Sequence, residues 1–376
     1  MMTRILIIGN GADDKYIGYC LRECRKCDTD LVFDFFNTNL EETSSFRSEV
    51  NQYVTVKRHR PNWIYNIPKV RGYFNQLDLC ISLRDFIGVC QNENIYYDVC
   101  QIHFLNPKIA DRLKKISRKV VITPWGSDVL RAKKYQLRGL RKLVQKSNWV
   151  TCTQGSRFEK DIVTLLDIPK EKLYNLPIGI ASIDEILSRP FITDEQAKRV
   201  WGFEGKYVIV IGYNGSPAHN HIKVIKSLVF MKKQLPTNTI LVCPMTYGGN
   251  PVYRKKIKRL LWNSQFENQI LENYLTAEEL VCLRKATDLF IHAQNTDANS
   301  GTIAEYLLCR KKIVNPTWIT YPHYETYGSP FYSFSNFEEL PQAIMKAIND
   351  TSNKVSPLLT GNISESGWSK LACKWV

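Results

Sequence analysis

The chain has 376 residues, 44% of them apolar and 23% charged, and this near-average balance excludes wholesale disorder, collagen-like repeats and low-complexity architecture. Lys and Arg number 51 against 36 Asp and Glu, a net charge of +15, which points to an anionic partner: nucleic acid, an acidic membrane surface or a phosphorylated ligand. Eleven Cys in a chain of this length are too sparse for a secreted disulfide scaffold, no run of 18 apolar residues is present to span a membrane, and the opening apolar run reads as too short for a signal peptide.

In chain order, the first predicted element is a strand at Arg4–Asn10, a short apolar run ending at Gly9 and Asn10. Continuous apolar runs of this length read as buried parallel strands. Cys24-Arg-Lys-Cys27 follows, with Cys20 nearby, but no second ligand pair accompanies it, so these read as reduced structural thiols of a cytosolic protein rather than a zinc site. Strands are predicted at Leu31–Phe36, Tyr53–Lys57, Val99–Phe104, Val120–Thr123 and Val150–Thr153, with helices at Pro107–Ile116, Tyr135–Gln145 and Arg157–Leu166. Between Lys108 and Lys146 stand 13 Lys and Arg against Asp111 and Asp128, so a local +11 is concentrated in 39 residues. Pro190–Trp201 reads as a linker with a short helix, and a domain boundary is expected near Ser188–Lys206.

A second opening strand, Tyr207–Gly215, starts the pattern again. Helices at His221–Gln234, Pro251–Leu261, Ala277–Lys285 and Ser300–Cys309 alternate with strands at Thr239–Pro244, Gln269–Asn273, Asp288–Ala293 and Lys312–Asn315. Regular β-then-α alternation predicts parallel sheets with right-handed crossovers. Two strand starts some 200 residues apart predict two doubly wound domains. Ser366–Trp375 reads as an amphipathic helix whose aromatic residues need a surface to cover.

Doubly wound sheets bind ligands at the carboxyl ends of their strands, so loops after strands carry the candidates, with the interdomain cleft as the expected site. Gly9-Asn10-Gly11 allows close backbone approach, though it serves equally as a plain strand-to-helix turn. Asn214-Gly215-Ser216, with His219 and His221, suits a diphosphate at a helix start better than a metal; a turn with an N-cap is the bland alternative. Tyr247, in Pro244-Met-Thr-Tyr-Gly248-Gly249, is placed to stack on a base or sugar. The most specific cluster is Asp297, Asn299, Ser300, Gly301, Thr302 and Glu305, which brings two carboxylates and free N–H groups to one helix start; a dipole-complementing helix cap accounts for Glu305 but not for the cluster. Trp125-Gly126-Ser127-Asp128 offers an aromatic ring and a carboxylate at a strand end, with an Asx-type cap as the alternative for Asp128. His103 lies near the end of the strand Val99–Phe104 and His59 follows the strand Tyr53–Lys57; lone histidines are more often structural than catalytic.

These residues resemble GT-B glycosyltransferases, in particular family-4-like retaining enzymes (glycosyl transferases group 1). The family's E-x7-E motif is matched by Asp297 and Glu305, with Asp in the first place. Glu305-Tyr-Leu-Leu-Cys-Arg-Lys-Lys-Ile-Val314 is similar to its E-A-M-A-C-G-K-P-V-V segment, and Asp167–Ile180 to its passage ending in N-G-V-D. Asn214-Gly215-Ser216 with His221, and Pro244 with Tyr247-Gly248, also look like loops of transferases that add an acetamido-dideoxygalactose to lipid-linked enterobacterial common antigen. Trp125 stands where the family's H-G-x-D motif has His, and the usual diphosphate-clamping Arg and Lys are replaced, with His219, Asn220, His221 and Lys223 as candidate substitutes.

The resemblance implies an α/β chain of the GT-B fold, with two Rossmann-like doubly wound domains facing across a cleft. The acceptor-binding domain would span 1–190, the nucleotide-sugar-binding domain 191–362, and a C-terminal helix at 363–376 would return to the first domain. The implied activity is retaining, metal-independent transfer of a sugar from a nucleotide sugar to a glycan. The acceptor would be lipid-linked, on a polyprenyl diphosphate, in bacterial surface polysaccharide synthesis of the O-antigen or capsule type. Glu305 would bind the ribose and Asp297 a donor-sugar hydroxyl, with Asp128 and His103 as further catalytic candidates. The diphosphate would meet Ser300, Gly301 and Thr302, and Gly11, Asn214, Gly215, Ser216, His221, Tyr247, Gly248 and Asn299 would complete the donor site. No cofactor and no metal are expected; the one Asp-x-Asp, Asp28-Thr29-Asp30, precedes a first-domain strand. The basic stretch would dock on the anionic inner face of the membrane through Lys133, Lys134, Arg138 and Arg141, placing a cytoplasmic protein peripherally there. Solvated helix faces are the bland alternative for those charges. Two other functions share features with this chain: a nucleotide-sugar epimerase of the same architecture, and a basic nucleic-acid-binding protein, for which no recognition motif appears.

Overall fold

The apolar runs of the first half form a seven-stranded sheet: β1 (Thr3–Gly9), β2 (Leu31–Asn37), β3 (Gln52–Thr55), β4 (Tyr97–His103), β5 (Ser117–Thr123), β6 (Trp149–Cys152) and β7 (Leu173–Asn175). Their order is β3-β2-β1-β4-β5-β6-β7, and every pairing is parallel, with Ile5 flanked by Phe33 and Val99. Ile5, Leu6, Ile7 and Ile8 are all buried, as a parallel strand covered on both faces requires. The second half forms a six-stranded parallel sheet from β8 (Tyr207–Ile211), β9 (Thr239–Pro244), β10 (Glu267–Leu271), β11 (Leu289–Ile291), β12 (Lys312–Pro316) and β13 (Phe331–Phe334), in the order β10-β9-β8-β11-β12-β13. The structure is a computed structural model and describes residues 2–11, 14–27, 30–40, 46–109, 112–177, 179–326, 328–352, 354–363 and 367–375. Asp28 and Thr29 of the Asp-x-Asp sequence and Asp111 lie outside the described residues. The chain divides into two units, residues 1–181 with 366–376, and residues 182–365.

The helices used below are α1 (Tyr19–Cys27), α2 (Pro68–Asn92), α3 (Lys134–Lys146), α4 (Asp194–Trp201), α5 (Pro251–Asn263), α6 (Ala277–Ala286), α7 (Gly301–Leu308) and α8 (Trp368–Trp375). The linker helix α4 begins with a capping box between Thr193 and Gln196. The helix expected at Pro107–Ile116 is absent; the described residues there form turns and one 3-10 turn at Leu113–Lys115. Ile109, Leu113 and Ile116 are buried, as their spacing demands. The segment is short for a stable helix, and four cations, Lys108, Arg112, Lys114 and Lys115, repel one another along it. The crossover before β4 is instead α2, a 25-residue helix that buries Leu79, Leu83, Phe86, Ile87 and Cys90 along one stripe.

α8 belongs to the first unit. It buries Trp368, Leu371, Ala372 and Trp375, the i, i+3, i+4, i+7 face of an amphipathic helix. Trp375 meets Phe33 edge-on at 6.1 Å, the Cys24 thiol donates to the Trp368 carbonyl at 3.4 Å, and the Trp368 indole N–H donates to the Gly179 carbonyl at 3.2 Å. In each sheet the strand order reverses beside a central strand, between β1 and β4 and between β8 and β11. Those two switch points open the crevices in which such sheets bind ligands.

Candidate functional site

In the second unit, the loop after β8 lies backbone to backbone against the loop after β9. The Gly215 N–H donates to the Tyr247 carbonyl at 2.7 Å. Gly249 has φ +69°, and a Cβ there would overlap the Gly215 carbonyl; a Cβ on Gly215 would sit 2.7 Å from the Gly248 carbonyl. Only glycine permits this approach. Asn214 folds the turn by accepting from the Ser216 N–H at 2.8 Å. Asn214, Gly215, Ser216, Tyr247 and Gly248 are thereby brought together. Tyr247 is 42% exposed and lies parallel to Tyr274, 77% exposed, at a centroid distance of 6.1 Å and an interplanar angle of 5°. Tyr274 follows β10 and carries no sequence signal beyond being an aromatic residue after a strand. His221 faces inward: it is buried, its Nδ1 lies 3.2 Å from the Tyr253 hydroxyl, and burial pushes it down to about 4.

The other wall of this crevice is the loop after β11. The Asn220 amide donates to the Ala293 carbonyl at 2.8 Å and to Asn295 Oδ1 at 2.7 Å, and the Asn295 N–H donates to the Ala218 carbonyl at 2.9 Å. These bonds tie the two loops across the switch point. Asp297 is held by three groups: the Tyr321 hydroxyl donates to its Oδ2 at 2.8 Å, His292 Nε2 lies 3.2 Å from that oxygen, and the Ala298 N–H donates to Oδ1 at 2.8 Å. Burial and the adjacent Asp297 push the Tyr321 phenol well above its ordinary range, so it stays a donor. Ser300 caps α7, its hydroxyl accepting from the Ile303 N–H at 3.4 Å. The first intrahelical bond runs from the Ala304 N–H to the Ser300 carbonyl, which leaves the Gly301 and Thr302 N–H groups at the open, positive end of the helix.

Glu305 points the other way. It is fully buried, with Oε2 accepting from Arg284 Nε at 2.8 Å and Oε1 from the Ser182 hydroxyl. Arg284, near the end of α6, also donates to the Tyr306 hydroxyl at 3.0 Å. A buried guanidinium requires such a carboxylate. The sequence marks Arg284 only as a basic residue in a helix's last turn, which ordinarily means a solvated charge.

In the first unit, the C-terminal ends of β1, β4 and β5 hold an aromatic cluster. Trp125 packs against Tyr16 at 4.4 Å, Phe104 at 5.5 Å and His103 at 5.9 Å, and Trp368 lies 5.8 Å from His103. His103 is buried, neither ring nitrogen has a hydrogen-bond partner among the described residues, and burial pushes it down to about 3. A buried, unpaired imidazole calls for a reason. Phe104 next to it has φ +57°, a left-handed conformation costly for a bulky residue. Asp128 accepts from the Leu105 N–H at 2.8 Å and the Trp125 N–H at 3.1 Å, so it clasps the loops after β4 and β5, and burial raises its pKa. Gly11 is packed into its turn, its N–H donating to Asn37 Oδ1 at 2.8 Å. Lys133, Lys134, Arg138 and Arg141 are all exposed, and Arg141 is in addition held by the Leu165 carbonyl and the Asp167 carboxylate, both at 3.0 Å. Among the described residues no cluster of three or more His, Cys, Asp or Glu is placed to hold a metal, and no helix is long and apolar enough to cross a membrane.

No protein-family model matches the chain, and no curated protein is similar to it in sequence. Solved structures are similar over its whole length. One is the Anabaena protein HepE in complex with UDP-glucose, at 13% identity, covering 99% of this chain and 98% of that one, with a TM-score of 0.69. A glycosyltransferase from Rickettsia africae aligns at 14% identity over 99% and 96% of the two chains, with a TM-score of 0.70. The sucrose-phosphate synthase of Thermosynechococcus elongatus aligns at 11% identity over 99% and 97%, with a TM-score of 0.69. The fold is GT-B. The two-sheet architecture implied by the family resemblance is therefore the one this chain adopts.

Proposed function

We propose that the chain is a glycosyltransferase that moves a sugar from a nucleotide-sugar donor to a glycan. The observation that carries this reading is the second-unit crevice, where the glycine-bound loops after β8 and β9, the loop after β11 and the open end of α7 converge at one topological switch point. The Gly301 and Thr302 N–H groups and the α7 dipole would hold the diphosphate and stabilise it as it leaves. Tyr247 and Tyr274 offer a flat face to the base. Asp297, fixed by Tyr321 and His292, would accept from a sugar hydroxyl. Both Glu305 oxygens are already engaged, so a ribose contact requires the Ser182 bond to open, while the Arg284 bond anchors α7.

The finer reading is a retaining, metal-independent enzyme working peripherally at the cytoplasmic face of the membrane, on a polyprenyl-diphosphate-linked acceptor of surface polysaccharide synthesis. It draws on the family resemblance and on the exposed cations of the first unit. His103, within the aromatic cluster, and Asp128, which clasps the loops beside it, are proposed to serve the acceptor side. The test is nucleotide release from a panel of nucleotide sugars in the presence of EDTA. A transferase slowly releases free nucleotide from its donor without an acceptor. Conversion of one nucleotide sugar into another would show an epimerase instead, and release that requires added manganese or magnesium would overturn metal independence.

A further inference from the structure

The first unit carries a second basic segment, outside the stretch from Lys108 to Lys146. No acidic residue occurs between Glu49 and Asp78, while Lys57, Arg58, Arg60, Lys69 and Arg71 are basic. The chain there runs from β3 through a short helix, Asn62–Tyr65, into α2. Asp78 of α2, fully buried, pins this strap: it accepts from the Tyr65 hydroxyl, from Arg60 Nη1 at 3.2 Å and from the His59 N–H at 3.4 Å. Pinned in this way, the strap and the first turns of α2 turn apolar side chains into water. Trp63 and Tyr73 are each 64% exposed, and Ile67 is exposed between them.

The face continues across neighbouring elements. The Asn106 amide donates to Gln76 of α2 at 3.2 Å, and Arg112 Nη1 donates to the Cys80 carbonyl at 3.1 Å. Pro107 in the same loop packs on α3 so closely that a side chain on Gly139 would overlap it. α3 then presents Lys134, Tyr135 and Arg138 to solvent, Tyr135 being 72% exposed. Cations surrounding exposed Trp, Tyr and Ile make the composition of a membrane-interface surface: the aromatic rings seat at the headgroup level and the cations meet anionic lipid. A nucleic acid would use the cations but offers nothing to Ile67.

We infer that this face, with Trp63, Ile67 and Tyr73 at its centre, docks the first unit on an anionic lipid bilayer. It rests on the membrane association of the proposed function and centres it on Trp63, Ile67 and Tyr73, outside the Lys108–Lys146 stretch, with Lys134, Tyr135 and Arg138 at its margin. It needs no donor or acceptor, so its failure is separate from a failure of the transferase reading.

The experiment is co-sedimentation of the full chain with phosphatidylcholine vesicles containing or lacking phosphatidylglycerol, at low and physiological salt. The parent should bind only the anionic vesicles. Trp63→Ser, Ile67→Ser and Tyr73→Ser combined should lower partitioning at least tenfold without lowering the melting temperature. Each basic residue near an anionic surface is worth about fivefold in partitioning, so Arg58→Glu with Arg71→Glu should cost at least 25-fold. Equal binding to neutral vesicles would overturn the inference. So would full vesicle binding by the serine variant, or loss of binding on reversing Lys255, Lys256 and Arg259 of α5 instead. RNA binding that these variants abolish while vesicle binding persists would assign the face to nucleic acid.

Discussion

Replacing Gly301 with Pro isolates the proposed phosphate contact. Gly301 is the first residue of α7, directly after the Ser300 cap, and its N–H precedes the first intrahelical bond. Proline suits that position, because its fixed φ matches the helix and the N–H it lacks has no helical partner. A residue before proline must be extended, and Ser300 already is, at φ −65° and ψ 113°. The substitution therefore deletes one donor and keeps the helix. A hydrogen bond to a charged group is worth about 1.5–3 kcal/mol, or roughly 10- to 150-fold in donor Kd. Stability should hold or rise by about 0.4–1 kcal/mol, since proline narrows the unfolded ensemble. Calorimetric titration with the donor and with its bare nucleoside separates the terms: the donor should weaken and the nucleoside should not. A variant that melts normally and binds the donor as tightly as the parent would remove the phosphate from the α7 end.

Glu305→Ala should destabilise the chain by about 3–5 kcal/mol in urea melts, because Arg284 would be left buried without its carboxylate, whereas Arg284→Met with Glu305→Leu should recover much of that loss. His103, held at about 3 when folded and near 6.5 when unfolded, takes up its proton first in the unfolded chain. Its stability contribution is thus complete above pH 6.5 and falls by about 1.4 kcal/mol per pH unit below it, so His103→Phe should shrink the stability difference between pH 7 and pH 5 by about 2 kcal/mol. Tyr274→Ala should weaken donor binding by about 1–3 kcal/mol, the worth of stacking a base on an aromatic ring, and leave melting unchanged because the ring is exposed; unchanged affinity in calorimetry would take the base off this platform.

The sheets were legible because strands buried on both faces must be apolar along their buried length, as Ile5–Ile8 and Val208–Ile211 are. α8 was legible because two Trp, a Leu and an Ala recur on one helical face. α2 was not: its periodic stripe occupies only the part from Leu79 to Cys90, while its first turns expose Tyr73 and carry Lys69 and Arg71. β7 and β13, of three and four residues, are too short for a pattern to show. At the candidate site, spacing revealed which loops follow strands, so Asn214–Ser216, Tyr247 and Asp297–Thr302 could be placed at strand ends. What pairs across the fold was hidden: Arg284 with Glu305, Tyr321 with Asp297, and Tyr274 with Tyr247 come from separate elements whose meeting only the fold dictates. His103 and His221 were candidates at a strand end and a helix start, and the sequence does not show that their strand and helix carry both inward to burial.

Hydrogen–deuterium exchange with a nucleoside diphosphate, first selected by a melting-temperature screen that includes UDP, tests whether the donor occupies the β8/β11 crevice. Bound diphosphate should slow exchange at Asn214–Ser216, Met245–Gly249 and Asn299–Thr302, and Gly301→Pro should abolish the effect at Thr302. Protection confined to Gly9–Gly11 and His103–Leu105 of the first unit, or a screen in which no nucleoside diphosphate raises the melting temperature, would contradict the account.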